Sequence, residues 1–226
     1  MLYEFYTSLT TSCPAYVRHM DYLYEVIAMR GRALRNREAW QPHLDNTRAF
    51  VLAAAEKCEK RTIVVIFGAG LLLDVPLSEL STMFQEVHLL DIVFLPEVRR
   101  QARQYGNVRL IQHDTTNMAE ALYTNVHQGI RDLPEPSPSL PESSTQAGLV
   151  VSHYTFLQSL ASPVCLVADY EYVKRDKEGI IVNRGSTIAG LALPEPDASW
   201  TWHIAPLGES SPYVSKELNV GAWHLR

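Results

Sequence analysis

Cysteine is scarce in this 226-residue chain: Cys13, Cys58 and Cys165 lie far apart and form no Cys-x-x-Cys pair. An odd, sparse set argues against a disulfide framework and points to reduced thiols in a cytoplasmic protein. Long apolar runs are also missing. No stretch is long enough to span a bilayer, and the N-terminus lacks the basic-then-apolar layout of a signal peptide, so no membrane association is expected. Positive charge is not in excess. With 20 Lys and Arg against 25 Asp and Glu the formal charge is -5, which argues against wholesale electrostatic binding of nucleic acid or an anionic membrane. No internal repeat is visible. What remains is a chain with 46% hydrophobic residues, enough to bury the core of one domain spanning residues 1–226.

The richest stretch is Arg61-Thr62-Ile63-Val64-Val65-Ile66-Phe67-Gly68-Ala69-Gly70-Leu71-Leu72-Leu73-Asp74. A continuous apolar run that ends in two glycines one residue apart reads as a buried parallel strand and a tight turn, with a helix starting directly after it. Glycines at such a turn let the backbone approach a ligand closely, and a helix N-terminus adds oriented N–H donors. A second short apolar run, Val87-His88-Leu89-Leu90, closes on Asp91, a carboxylate placed to accept hydrogen bonds from both hydroxyls of a ribose.

Three parts follow from the patterning. Residues 1–60 read as a helical cap: Val17, Met20, Tyr24 and Ile27 fall at helical spacing, as do Leu44, Thr47, Val51, Ala54 and Cys58. Residues 61–130 alternate strand and helix. Leu73, Leu77, Leu80 and Phe84 predict a helix with Pro76 in its first turn, and Pro96 opens the next. Asn107–Gln112 is a third strand ending at His113-Asp114. Residues 131–147, with prolines at 134, 136, 138 and 141, form a flexible Pro/Ser-rich loop. Gly148–Ser152 is a fourth strand ending at His153, and Val164–Ala168 a fifth ending at Asp169. Period-two alternation over Ser199–Ala205 and again over Glu217–Leu225 predicts a closing antiparallel pair. A further hairpin is expected between Tyr170 and Ile188, with Lys174–Gly179 as its turn. Short, fully apolar strands alternating with helices imply a mostly parallel sheet with helices on both faces.

This layout, over roughly residues 40–226, resembles the class I S-adenosylmethionine-dependent methyltransferases. The resemblance implies an α/β, Rossmann-like fold: a mostly parallel seven-stranded sheet with an antiparallel C-terminal strand and an N-terminal helical cap. Carried over by position, it places Gly68, Ala69 and Gly70 under the methionine part of S-adenosylmethionine. Asp91 would meet the ribose, Ile92 the adenine face, and His113 and Asp114 the adenine edge. Ser152 and His153 begin the motif that faces both methyl donor and substrate. The implied reaction is methyl transfer to an unidentified small-molecule or peptide acceptor, leaving S-adenosylhomocysteine; His153 is the first candidate for a base and Asp169 the second. N-terminal tyrosines, among them Tyr3, Tyr6, Tyr16, Tyr22 and Tyr24, would lid the substrate site, line a core or form a dimer contact.

Two departures from the family pattern leave alternatives open. The acid expected two residues before the first glycine is Ile66, and the third small residue of the motif is Leu72. Asp74 stands near enough to replace the missing acid in part. These departures motivate a second reading, a non-catalytic protein of the same fold acting as a scaffold partner. A third, a nicotinamide-dependent oxidoreductase, is permitted by the 21-residue step from Gly70 to Asp91. Asp114 equally makes a helix cap in His-Asp-Thr-Thr. Asp169 and Glu171 are expected on one strand face. The basic run Arg30–Arg37 reads as a solvated helix end, since it has no interleaved aromatics. No tight ligand spacing supports a metal.

Overall fold

The computed structural model describes residues 2–137, 139–152, 164–187 and 193–225. Four helices come first: α1 (Leu2–Thr10), α2 (Ala15–His19), α3 (Tyr22–Arg35) and α4 (Arg37–Lys57). Strands and helices then alternate through β1 (Ile63–Phe67), α5 (Leu77–Met83), β2 (Glu86–Asp91), α6 (Pro96–Ala102), β3 (Val108–Gln112) and α7 (Ala119–His127). The chain closes with β4 (Ala147–Ser152), β5 (Val164–Asp176), β6 (Ile181–Ser186), β7 (Ala198–Ala205) and β8 (Val214–Leu225).

The strands form one sheet in the order β3-β2-β1-β4-β5-β8-β7, with β6 paired to β5 outside that path. β1 to β5 are parallel to one another; β8 runs antiparallel between β5 and β7, and β6 antiparallel to β5. The sheet is mostly parallel with an antiparallel strand near its C-terminal edge, as the sequence predicts, and β6 is added as an eighth strand to the seven expected. The apolar sequence of β1 explains its central place. Val64 and Ile66 enter one buried cluster with Val51 and Ala55 of α4 and Leu77 and Leu80 of α5; Val65 and Phe67 enter another with Val150, Leu166 and Trp223. Both faces of a strand can be buried only if both are apolar. The second face is crossed by the segment after the prolines, whose Ser144 hydroxyl meets His88 Nδ1 at 2.8 Å. Ser144 and His88 are both buried.

Two expectations need correction. No helix begins at the glycine turn: α5 starts only at Leu77. Leu72 holds a left-handed backbone, φ 58°, and Pro76 drives Val75 away from the helical region. Residues 71–76 therefore run as irregular chain despite their helical spacing. Nor do Asp169 and Glu171 share a face. A bulge shifts the β5–β8 register so that Asp169 lies opposite Val220 but Glu171 opposite Asn219. Neighbouring residues of β8 point to opposite faces, so the two acids part.

Candidate functional site

The C-terminal ends of parallel strands are where an α/β sheet of this order leaves a crevice. A cavity of about 610 Å³ lies there, within the usual range for a small-ligand site. Its floor is the glycine turn Gly68–Ala69–Gly70 with Asp91 at the end of β2, Ile92 after it and His113 to Thr116 after β3. β5 contributes Val167, Ala168 and Asp169. The N-terminal helices complete the wall with Tyr22, Glu25, Val26 and Met29 of α3 and Trp40, His43 and Leu44 of α4. Trp202 and Val220 enter from the two closing strands.

The turn is built by backbone geometry. Gly68 and Gly70 both hold positive φ, 68° and 50°, a region that L side chains avoid. Gly68 and Ala69 donate their N–H groups to the Leu90 carbonyl at 3.0 and 3.2 Å, which locks the turn onto β2. Gly70 N–H donates to Asp91 Oδ2 at 2.7 Å, and Val93 N–H lies 3.4 Å from Oδ1. A Cβ at Gly70 would lie 3.7 Å from the Gly68 carbonyl oxygen and 4.0 Å from Asp91 Oδ2, filling the cradle between turn and carboxylate.

Asp114 is committed to local structure as well as to the wall. Its Oδ1 accepts from Thr116 N–H at 2.9 Å and Thr116 Oγ1 at 2.8 Å, and its Oδ2 from Ala119 N–H at 2.6 Å. Burial works to raise its pKa, but these hydrogen bonds outweigh it and hold the carboxyl below its ordinary value. His113 donates from Nε2 to the Ser139 carbonyl at 2.9 Å, tying the proline-rich segment to the cavity rim. Burial, and then the charge of Asp114, raises the Tyr22 phenol.

The aromatic wall is a feature that sequence reasoning missed. Trp200 Nε1–H donates to His43 Nδ1 at 3.0 Å, so that nitrogen is unprotonated and the neutral ring carries its hydrogen on Nε2. His43 stacks on Trp202 with ring centres 4.1 Å apart, and Trp202 meets Trp40 edge-on at 5.1 Å. Trp40 Nε1–H donates to the Ile204 carbonyl at 3.1 Å, pinning α4 to β7. These contacts join α4 to the closing pair, more than 150 residues apart in sequence. The one available signal was the spacing Trp200-x-Trp202, which puts both indoles on a single strand face.

The structure thus brings Gly68, Ala69, Gly70, Asp91, Ile92, His113, Asp114 and Asp169 to one cavity. Ser152 is not in its lining; it is fully buried at the end of β4. His153 lies outside the described residues. Among the N-terminal tyrosines, Tyr22 reaches the cavity; Tyr3, Tyr6 and Tyr24 are exposed, and Tyr16 of α2 packs against the cluster of Val17, Leu23 and Ile27. Ile66 is buried in the core, whereas Asp74 lines the cavity. Of the basic run, Arg30 pairs with Glu97 at 2.6 Å and Arg35 with Glu209 at 2.7 Å. Among the described residues no group of three or more His, Cys, Asp or Glu is arranged to hold a metal, and no helix is long and apolar enough to cross a membrane.

No family model and no curated protein matches the chain. Among solved structures it is similar to DhpI in its complex with SAH, at 14% identity over 86% of this chain and 93% of that one, with a TM-score of 0.42. It is also similar to the 23S rRNA methyltransferase ErmE, at 12% identity over 76% of this chain, TM-score 0.30. The mitomycin 7-O-methyltransferase MmcR matches at 14% identity over 85% of this chain, TM-score 0.31. The chain spans 66% of the length of ErmE and 57% of that of MmcR.

Proposed function

We propose that this protein is an S-adenosylmethionine-dependent methyltransferase. The observation that carries the reading is convergence. The glycine turn after β1, the acid that ends β2 and the residues after β3 meet at one cavity, in a sheet whose β8 is antiparallel. An antiparallel strand in that place is foreign to the parallel dinucleotide-binding sheet, which sets the oxidoreductase reading aside.

The residues present fit the cofactor. A side-chain-free turn lets a nucleoside amino acid lie against Gly68–Gly70, and the Asp91 carboxylate suits the donor hydroxyls of a ribose. Ile92 offers an apolar face to the adenine, and His113 and Asp114 stand at its edge. Among the described residues the lining holds Glu25, Asp74, Asp91, Asp114 and Asp169 but no Lys or Arg, a balance that favours a sulfonium cation. Asp74 takes over the charge that Ile66 lacks: the irregular chain after the turn carries it to the cavity wall, where a helix start would have constrained it. The bound cofactor supplies an electrophilic methyl group. The protein's own part is alignment and exclusion of water, with α3 and α4 closing over the sheet.

Calorimetric titration with S-adenosylmethionine and S-adenosylhomocysteine tests this. Micromolar binding is expected, weakened at least about tenfold in Asp91→Asn, since charge-assisted hydrogen bonds are the strong ones. Folded protein that binds neither nucleoside would overturn the reading in favour of a scaffold role.

A further inference from the structure

The strand order divides the cavity. β1 and β4 separate the ends of β2 and β3, where the nucleoside is assigned, from those of β5, β8 and β7. The second half is walled by Trp40, His43 and Trp202, with Val167 and Val220 beneath and Asp169 as the acid at the end of the parallel part of β5; Glu25 of α3 lines the same cavity. Among the described residues no Lys or Arg lines it, and His43 accepts the Trp200 indole N–H at Nδ1. A phosphate or carboxylate ligand would face the Asp169 carboxylate with no Lys or Arg among the described lining residues to offset it. Indole faces beside carboxylates are the surroundings that hold an organic cation.

Asp169 is aimed by the fold. The bulge at Tyr170 leaves Asp169 on the cavity side, while Glu171 turns to the other face and bonds Arg184 at 2.9 Å and Asn219 at 2.7 Å. Thr187 Oγ1 donates to the Asp169 carbonyl at 2.7 Å, fixing the backbone on which that side chain stands. Bulges next to sites commonly re-aim one side chain in this way.

We propose that the methyl acceptor is a small amine with an aromatic or apolar body, its nitrogen held by Asp169 and Glu25 and its body laid against Trp40 and Trp202. This rests on the methyltransferase reading above. The ammonium gives one proton to the Asp169 carboxylate. The freed nitrogen lone pair then forms the new N–C bond as the C–S bond of the donor breaks, and sulfur keeps that electron pair. The products are a methylated ammonium and the neutral thioether.

Three probes with the same phenyl body separate the possibilities: phenethylamine, phenylacetate and phenethyl alcohol, each titrated into protein saturated with S-adenosylhomocysteine. Phenethylamine is expected to bind at least about tenfold more tightly than phenylacetate. Asp169→Asn should remove most of that preference while leaving S-adenosylhomocysteine affinity and phenethyl alcohol binding unchanged. Glu25→Gln, at an exposed position of α3, gives a second variant should Asp169→Asn fail to fold, and should narrow the same preference. Phenylacetate binding as tightly as phenethylamine, or an amine preference untouched by both variants, would overturn the assignment. Where S-adenosylhomocysteine binds but the amine does not, the acceptor class falls and the methyltransferase reading stands. Where S-adenosylhomocysteine does not bind, both fall.

Discussion

Leu72 shows how one residue can keep a turn while breaking its sequence pattern. The third small position of the motif holds a leucine, yet the backbone adopts φ 58°, the conformation that glycine takes without penalty. A left-handed L-residue costs roughly 1–2 kcal/mol. The Leu72 side chain is buried among Val75, Leu77 and the β1 face, and full burial of a leucine contributes roughly 1.5–3 kcal/mol, which offsets the strain. The departure in sequence is therefore not a departure in path. Leu72→Ala keeps the strain and loses the packing, so it should cost about 2–5 kcal/mol. Leu72→Gly loses the same packing but sheds the strain. Urea denaturation should find Leu72→Gly at least as stable as Leu72→Ala, whereas glycine in a regular element is worse than alanine by roughly 0.5–1 kcal/mol. Finding that ordinary order here would sink the account of the turn. Cys165 makes a contrasting point: burial pushes its thiol far above the ordinary range, so it is packing material, not a nucleophile.

At the scale of elements, the joint between the cap and the sheet depends on Gly148 at the start of β4. A Cβ there would stand 1.9 Å from the Lys60 carbonyl oxygen and 2.8 Å from its carbon. Cys58 Sγ donates to Lys60 and Gly148 carbonyls at 3.0 and 3.2 Å, so the end of α4, the lead into β1 and β4 close on one point. Backbone cannot move aside as a flexible side chain can. Gly148→Ala should cost about 1–3 kcal/mol, while Gly106→Ala, with nothing within 4 Å, should stay within about 0.5 kcal/mol. Equal effects in thermal melts would remove the steric argument. Strands and their acid-tipped ends were legible in the sequence because Ile63–Phe67 and Val87–Leu90 are apolar on both faces, a pattern with few other solutions. The late start of α5 was not legible because Leu73, Leu77 and Leu80 keep helical spacing across a segment whose path is set by Leu72 and Pro76. The bulge at Tyr170 left no mark in an alternation of acids and tyrosines. The wall of Trp40, His43 and Trp202 was illegible because it depends on contacts between α4 and β7, which local patterning does not report.

For the molecule as a whole, the cavity has two owners. Its floor belongs to the sheet, and much of its wall to α3 and α4. The cap is tied to the rest through Arg30–Glu97, Arg35–Glu209, the indole hydrogen bonds of Trp40 and Trp200, and the apolar packing of α4. Partly exposed ion pairs contribute only about 0–1 kcal/mol each. α3 places Leu23 and Ile27 in a small cluster with Val17, Val93 and Leu95, apart from the main core. Opening of α3 should therefore need less free energy than global unfolding. A ligand that touches both owners must raise the cost of that opening as well as the global one, by about 2.7 kcal/mol at a hundredfold excess over its Kd. Hydrogen exchange with and without saturating S-adenosylhomocysteine reads this directly. Slowing is expected at residues 68–74, 91–93 and 113–116, and together with them at residues 22–29. If the strand ends slow while residues 22–29 exchange at their original rate, the cofactor lies on the sheet alone. The cap would then serve only the acceptor half, and its protection should appear only when phenethylamine is added as well.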